Sequence, residues 1–346
     1  MLREMSPRIF PRLLLVLALA ASAVFACSVP VFRYALEHWA SDPFQVTVFH
    51  RGPLTDAQQA LVRELRPEGL AGRLHANLSV RTVDLTNQAS DHPLPWLTVA
   101  TPSIPNLWSA PLTDASIRQL LDSPARREIT QRLTDGESAV WLLLDSSDRE
   151  KDTAAAEVLT TRLEYLMGTL ELPKLDAQDI TNGLVSVGQD GLKLQFSVLR
   201  LSRDDPQEAA FTQMLLASEP DLKDAHVPIV FPVFGRGRAL YALVGAGIKR
   251  ETIDEAATFL IGKCSCQIKE QNPGLDLLLS ADWDALVKVP ATSLPDLPTL
   301  AALAKAAPVA VTISGTDAPK TRPSYVIVAL AIAALLAAGI LWQRAK

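Results

Sequence analysis

The stretch that most constrains this chain is VPIVFPVFGRGRALYALVGAGIKRETIDEAATFLIGKCSC, from Val227 to Cys266. Ile229 to Val233 is apolar and largely β-branched, which suits a buried strand. Gly235-Arg236-Gly237 supplies positions that accept a positive φ, so the chain turns and Ala239 to Val244 returns as a second strand. Gly245 and Gly247 break that strand. From Arg250 to Ile261 the apolar residues Ile253, Ala256, Ala257 and Leu260 recur at helical spacing, and Gly262 is a natural stop. Cys264-Ser265-Cys266 follows at once and holds two of the three cysteines in the chain.

The segment ahead of this stretch completes a unit. Val140 to Leu144 is a continuous apolar run, typical of a central strand covered on both faces. Asp152 or Thr153 caps a helix that runs to about Gly168, with Leu159, Leu163, Leu166 and Met167 along one face. Pro173 to Gly191 is loop-like, Leu192 to Leu201 alternates as a strand, and Pro206 to Ala217 is helical. The predicted order over 139–262 is βαβαββα. That order resembles a thioredoxin-like fold, with Val227-Pro228 where the fold places a cis-proline before its third strand. The resemblance implies an α/β sheet and a cis bond at Pro228. An unrelated hairpin packed under a helix gives the same local pattern. Redox-active members of that family keep Cys-x-x-Cys between the first strand and the first helix, where the helix N-terminus favours a thiolate. This chain has Asp145-Ser146-Ser147-Asp148 there. The family's redox chemistry therefore does not carry over, and the resemblance implies a binding or structural module.

A smaller α/β unit comes first. Gln45 to His50 reads as a strand. Thr55 caps a helix to about Leu65, Leu78 to Leu85 is a weak strand, and Pro95 to Val99 is a strand after a proline. Its strand–helix junction is His50-Arg51-Gly52-Pro53, again without cysteine. No helix is predicted between Leu85 and Pro95, so this unit reads as a truncated relative of the second, or as an unrelated α/β layer. Thr113 to Leu121 and Pro124 to Leu133 form a helical connector. The chain thus divides into 45–135, an α/β unit with its connector; 137–289, the thioredoxin-like unit with its CxC extension; and 290–323, a proline-rich linker or stalk.

Both ends are apolar. Arg3, Arg8 and Arg12 precede the charge-free run from Leu13 to Ala26, and residues 1–32 read as a signal peptide or signal anchor. Val24-Phe25-Ala26-Cys27 partly resembles a bacterial lipobox, which makes Cys27 a lipidation candidate. Ordinary cleavage after Ala26, or an uncut anchor helix from Leu13 to Phe32, are open alternatives. Val29 to Trp39 then reads as an interfacial helix or a juxtamembrane linker. Residues 325–342 are uncharged and have aromatics at both borders, the pattern of a transmembrane helix. These features predict an inner-membrane protein whose body is extracytoplasmic and whose partner is another membrane protein. A formal net charge of −5 and the lack of a basic, aromatic-interleaved stripe exclude nucleic acid as a partner.

No catalytic set is present. The five histidines are scattered, and there is no Gly-x-Ser-x-Gly, phosphate-binding glycine loop or His-Glu-x-x-His. Cys264 and Cys266 are the redox or metal candidates. Three readings are open for them: a short-loop redox disulfide, a pair of ligands for copper or zinc, or two small buried hydrophobes. The leading expectation is a non-enzymatic interaction or scaffold protein, an accessory subunit of a transport or envelope complex. The rival is a thiol-disulfide or copper-handling protein.

Overall fold

The computed structural model describes residues 27–264 and 268–287. Residues 1–26, Cys266, the 290–323 linker and the 325–342 apolar run lie outside the described residues. Among the described residues no helix is long and apolar enough to cross a membrane.

The expected interfacial helix belongs to the core instead. Helix α1 (Val31–His38) buries Val31, Phe32, Tyr34 and Ala35. An anchor helix running unbroken to Phe32 does not form either. Pro30 precedes α1, and a residue ahead of proline is pushed towards extended backbone. Val29 and Pro30 pair antiparallel with the segment at Lys263: Val31 N donates to Gly262 O at 2.9 Å, and Cys264 N donates to Val29 O at 2.8 Å. The carbonyls at the end of α1 are satisfied by Arg236, whose Nε reaches Leu36 O at 2.9 Å and whose Nη2 reaches Glu37 O at 3.1 Å.

The first sheet has four strands: β1 (Phe44–His50), β2 (Leu78–Asp84), β3 (Trp96–Ala100) and β4 (Trp108–Pro111), in the order β2-β1-β3-β4. β1 and β2 run parallel; β3 is antiparallel to β1, and β4 to β3. Helices α2 (Asp56–Glu64) and α3 (Leu70–Arg73) join β1 to β2. Thr55 and Gln58 form a reciprocal capping box on α2. β2 passes to β3 without a helix, as the sequence leads one to expect. Helices α4 (Asp114–Leu121) and α5 (Pro124–Thr134) follow β4. Alternate residues Val46 and Val48 of β1 and Leu97 and Val99 of β3 point into one core with Val62, Leu65, Ile117 and Leu120.

The second sheet contains β5 (Ala139–Leu144), β6 (Phe196–Leu201), β7 (Ile229–Phe234), β8 (Arg238–Ala239), β9 (Leu243–Val244) and β10 (Leu275–Asp276). Its order is β10-β8-β7-β5-β6, with β9 paired to β7. Between the strands lie α6 (Arg149–Thr169), α7 (Ala177–Thr181), α8 (Ala209–Leu216) and α9 (Arg250–Ile261), and α10 (Trp283–Leu286) comes last. Every residue of β5 is buried because both its faces are covered. Trp141 and Leu143 face the core built with α1, α6 and α9; Val140, Leu142 and Leu144 face the core built with α5 and α8. The turn after β7 needs its glycines: Gly235 and Gly237 have φ of +59° and +91°, and a Cβ on Gly235 would stand 2.8 Å from the Ala35 Cβ of α1.

The two sheets share one plan. β6-β5-β7-β8 repeats the order and the strand directions of β2-β1-β3-β4. The halves also share a seam, where Ala210 and Met214 of α8, together with Leu278, complete the core of the first sheet.

Candidate functional site

The strand–helix junctions come first, because helix N-termini there could hold an anion or activate a nucleophile. At the end of β5, Asp152 is buried and accepts from both Ser146 N and Ser146 Oγ at 2.7 Å. Asp148 caps α6 and accepts from Glu150 N at 3.2 Å and Lys151 N at 3.3 Å. The Lys151 ammonium and these backbone donors hold its carboxyl below the usual range. Ser147 has a φ of +72°, and its hydroxyl donates to Asp204 at 2.8 Å. Asp145 pairs with Arg200 at 3.0 Å; burial pushes its pKa up, against the pull of Arg200. The seat that an anion would take at α6 is therefore filled by the chain's own carboxylates.

The first junction is closed in a similar way. Gly52 N donates to Asp84 Oδ1 at 3.1 Å and Thr86 Oγ1 at 3.0 Å, while His50 Nδ1 lies 2.8 Å from Gly52 O. The capping box already serves the start of α2. The cis-proline expectation needs a correction here. The cis bond among the described residues is Leu94–Pro95, at the start of β3, and Val227–Pro228 is trans. The Val227 carbonyl is turned to Arg203, whose Nη2 stands 3.4 Å away, and Pro228 O accepts from Gly245 N at 2.9 Å.

Cys264 is 1% exposed and packs in the α1–α6–α9 core, as the reading of a small buried hydrophobe requires of it. Cys27, the lipidation candidate, is 3% exposed in that same core. Burial pushes the Cys27 thiol up, with the Val29 backbone opposing and Asp179 reinforcing. Burial, then Cys264 and Cys27, push the Tyr34 hydroxyl up. Ser28 fixes the approach, donating from N to Asp179 Oδ2 at 2.7 Å and accepting from Asp176 N at 2.7 Å. A buried thiol kept protonated is a poor nucleophile. Among the described residues, no three His, Cys, Asp or Glu side chains converge as a metal site.

Sequence reasoning missed an ionic hub. Asp276 is 4% exposed, takes Lys269 Nζ at 2.5 Å and Arg238 Nη1 at 3.0 Å, and accepts from Asp42 N at 2.7 Å. Lys269 also binds Asp42 at 2.7 Å and Ala40 O at 2.6 Å. This hub ties the linker after α1 to β8 and β10. Asp276 and Arg238 stand beside apolar residues and Lys269 in a polar stretch, so no shared pattern marks them.

No family model and no curated protein matches the chain.

Proposed function

We propose that this chain is a membrane-tethered, extracytoplasmic interaction module built from two thioredoxin-like units that lack redox cysteines. The observation that carries the reading is the state of the two strand–helix junctions. Neither presents a cysteine, and each is closed by the chain's own polar side chains. The shared order and direction of the two sheets supports the pairing of units. The apolar runs at 13–26 and 325–342 support the tether. The partner is a membrane protein, and the role that fits is that of an accessory subunit in a transport or envelope assembly.

Topology is tested with reporter fusions at Pro173 and after Lys346. A cytoplasmic signal at Pro173 would exclude an extracytoplasmic body. Cross-linking in intact membranes, followed by purification of the full chain, tests the partner; recovery of the chain alone at every cross-linker length would rule against it.

A second reading keeps Cys264 and Cys266 as a thiol-disulfide or copper-handling pair. It is favoured by the placement of Cys27 in the same core as Cys264, which brings an additional sulfur to that region. Thiol counts on the native and reduced protein, with metal analysis, separate the two. Unreactive thiols and no bound metal exclude the second.

A further inference from the structure

A cavity of about 180 Å³ opens beside the short strands β8 and β10. Phe231, Ala239, Leu275 and Leu277 give it apolar walls, and Glu219 and Tyr241 are its titratable lining groups. An apolar cavity of ~150 Å³ is enough to hold a benzene-sized molecule. No arginine or lysine lines it. The Glu219 carboxylate accepts from Ala242 N through one oxygen, at 3.3 Å. That is a long hydrogen bond and leaves most of the carboxylate's acceptor capacity available. Glu219 also lines a cleft of about 420 Å³ together with Trp108 and Lys223.

An apolar chamber with a carboxylate and no lining cation selects for a cation on an apolar stem. An anion would meet Glu219 directly. A neutral hydrocarbon would fill the chamber but gain nothing from the carboxylate. We propose that this cavity binds a primary alkylammonium group, its stem against Phe231, Leu275 and Leu277 and its nitrogen donating to Glu219. The same chemistry is offered by a free alkylamine and by a lysine side chain of a partner protein. The proposal does not depend on the thioredoxin-like reading.

The test uses the full chain in detergent, labelled on leucine methyl groups and titrated with n-butylammonium, n-butanol and butyrate. Saturable shifts at Leu275 and Leu277 are expected, with n-butylammonium binding about tenfold more tightly than butyrate, or ~1.4 kcal/mol. Glu219→Gln keeps an acceptor for Ala242 N. It is expected to weaken n-butylammonium about tenfold and to leave n-butanol unchanged. Ala239→Leu fills the chamber and should abolish binding of both. Competition by a lysine-containing peptide assigns the site to a protein partner, and its failure assigns it to a free amine. Equal binding of butyrate, an unchanged affinity in a folded Glu219→Gln variant, or no saturable methyl shift overturns the proposal.

Discussion

Arg126 shows what a single residue does in this fold. It is 2% exposed on α5, and its guanidinium donates to Leu120 O at 2.6 Å, Gln119 O at 2.5 Å and Ser123 Oγ at 3.0 Å, with the Phe211 ring 5.5 Å away. Burial pulls its pKa down to about 10, while Glu208 and Asp122 oppose that shift. The folded value lies below the unfolded one, so the unfolded chain binds more proton above pH 10. Stability from this group therefore rises as pH climbs through that window, and at neutral pH the residue is charged and bears its burial cost. Glu208 is 2% exposed, uses Oε1 to accept from Ala125 N at 2.7 Å, and has no partner on Oε2. Arg126→Met should cost about 1–3 kcal/mol in urea unfolding, because it leaves the Gln119 and Leu120 carbonyls and the Ser123 hydroxyl without their donor. Cys27 gives a second expectation. Its buried, protonated thiol should react with iodoacetamide at neutral pH on the order of a hundredfold more slowly in the folded chain than in urea. Neither residue betrays its burial in the sequence. Arg126 sits in a run of charged residues, and Cys27 closes an apolar run that reads equally well as an export signal.

Elements were legible where the apolar pattern matches the burial and less so where polar side chains are used inside the fold. The strand at Val140 to Leu144 and the helix at Arg250 to Ile261 follow their patterns, and β5 is buried on both faces as a continuous apolar run requires. Helix α1 does not follow. VFRYALEH reads as amphipathic and interfacial, but its polar side chains are used internally: Glu37 binds Arg33 and accepts from Ser186 N at 2.7 Å. Phe32 is 3% exposed in the core shared with α6 and α9. Phe32→Ala should therefore cost about 3–5 kcal/mol, whereas a juxtamembrane linker would lose almost nothing. Denaturation of the variant against the parent chain decides between them. The start of α6 makes a matching case. Asp152→Ala would leave the Ser146 N–H and hydroxyl without their acceptor, at about 1–3 kcal/mol. Faster hydrogen exchange confined to 146–152 would locate the effect at the junction.

At the scale of the whole molecule, the division at about residue 136 holds for the sheets but not for the packing. Strand order belongs to each half, and the type of many elements was legible because strands and helices carry different periods. The seam was not, because α8 is apolar on more than one side and sequence cannot say which neighbour each side meets. Phe211 and Leu215 face the second sheet's core, while Ala210 and Met214 face the first sheet's core. The hydrogen bonds of Arg126 to the Gln119 and Leu120 carbonyls reinforce the same seam. A helix that serves two cores couples their stabilities. The first half, which lacks a helix between β2 and β3, borrows core volume from the second. Unfolding should then be one transition, with Trp96 and Trp108 in the first sheet and Trp141 in the second losing their native environments together. Met214→Ala should lower the midpoint for all three by the same amount, at about 2–5 kcal/mol. Single-tryptophan variants followed by fluorescence, alongside far-ultraviolet circular dichroism, measure this directly. If Trp96 and Trp108 report an earlier transition while Trp141 is unmoved, the halves are independent and the seam is only a contact. Coincident curves that shift together on Met214→Ala make α8 the element through which the first sheet is held folded.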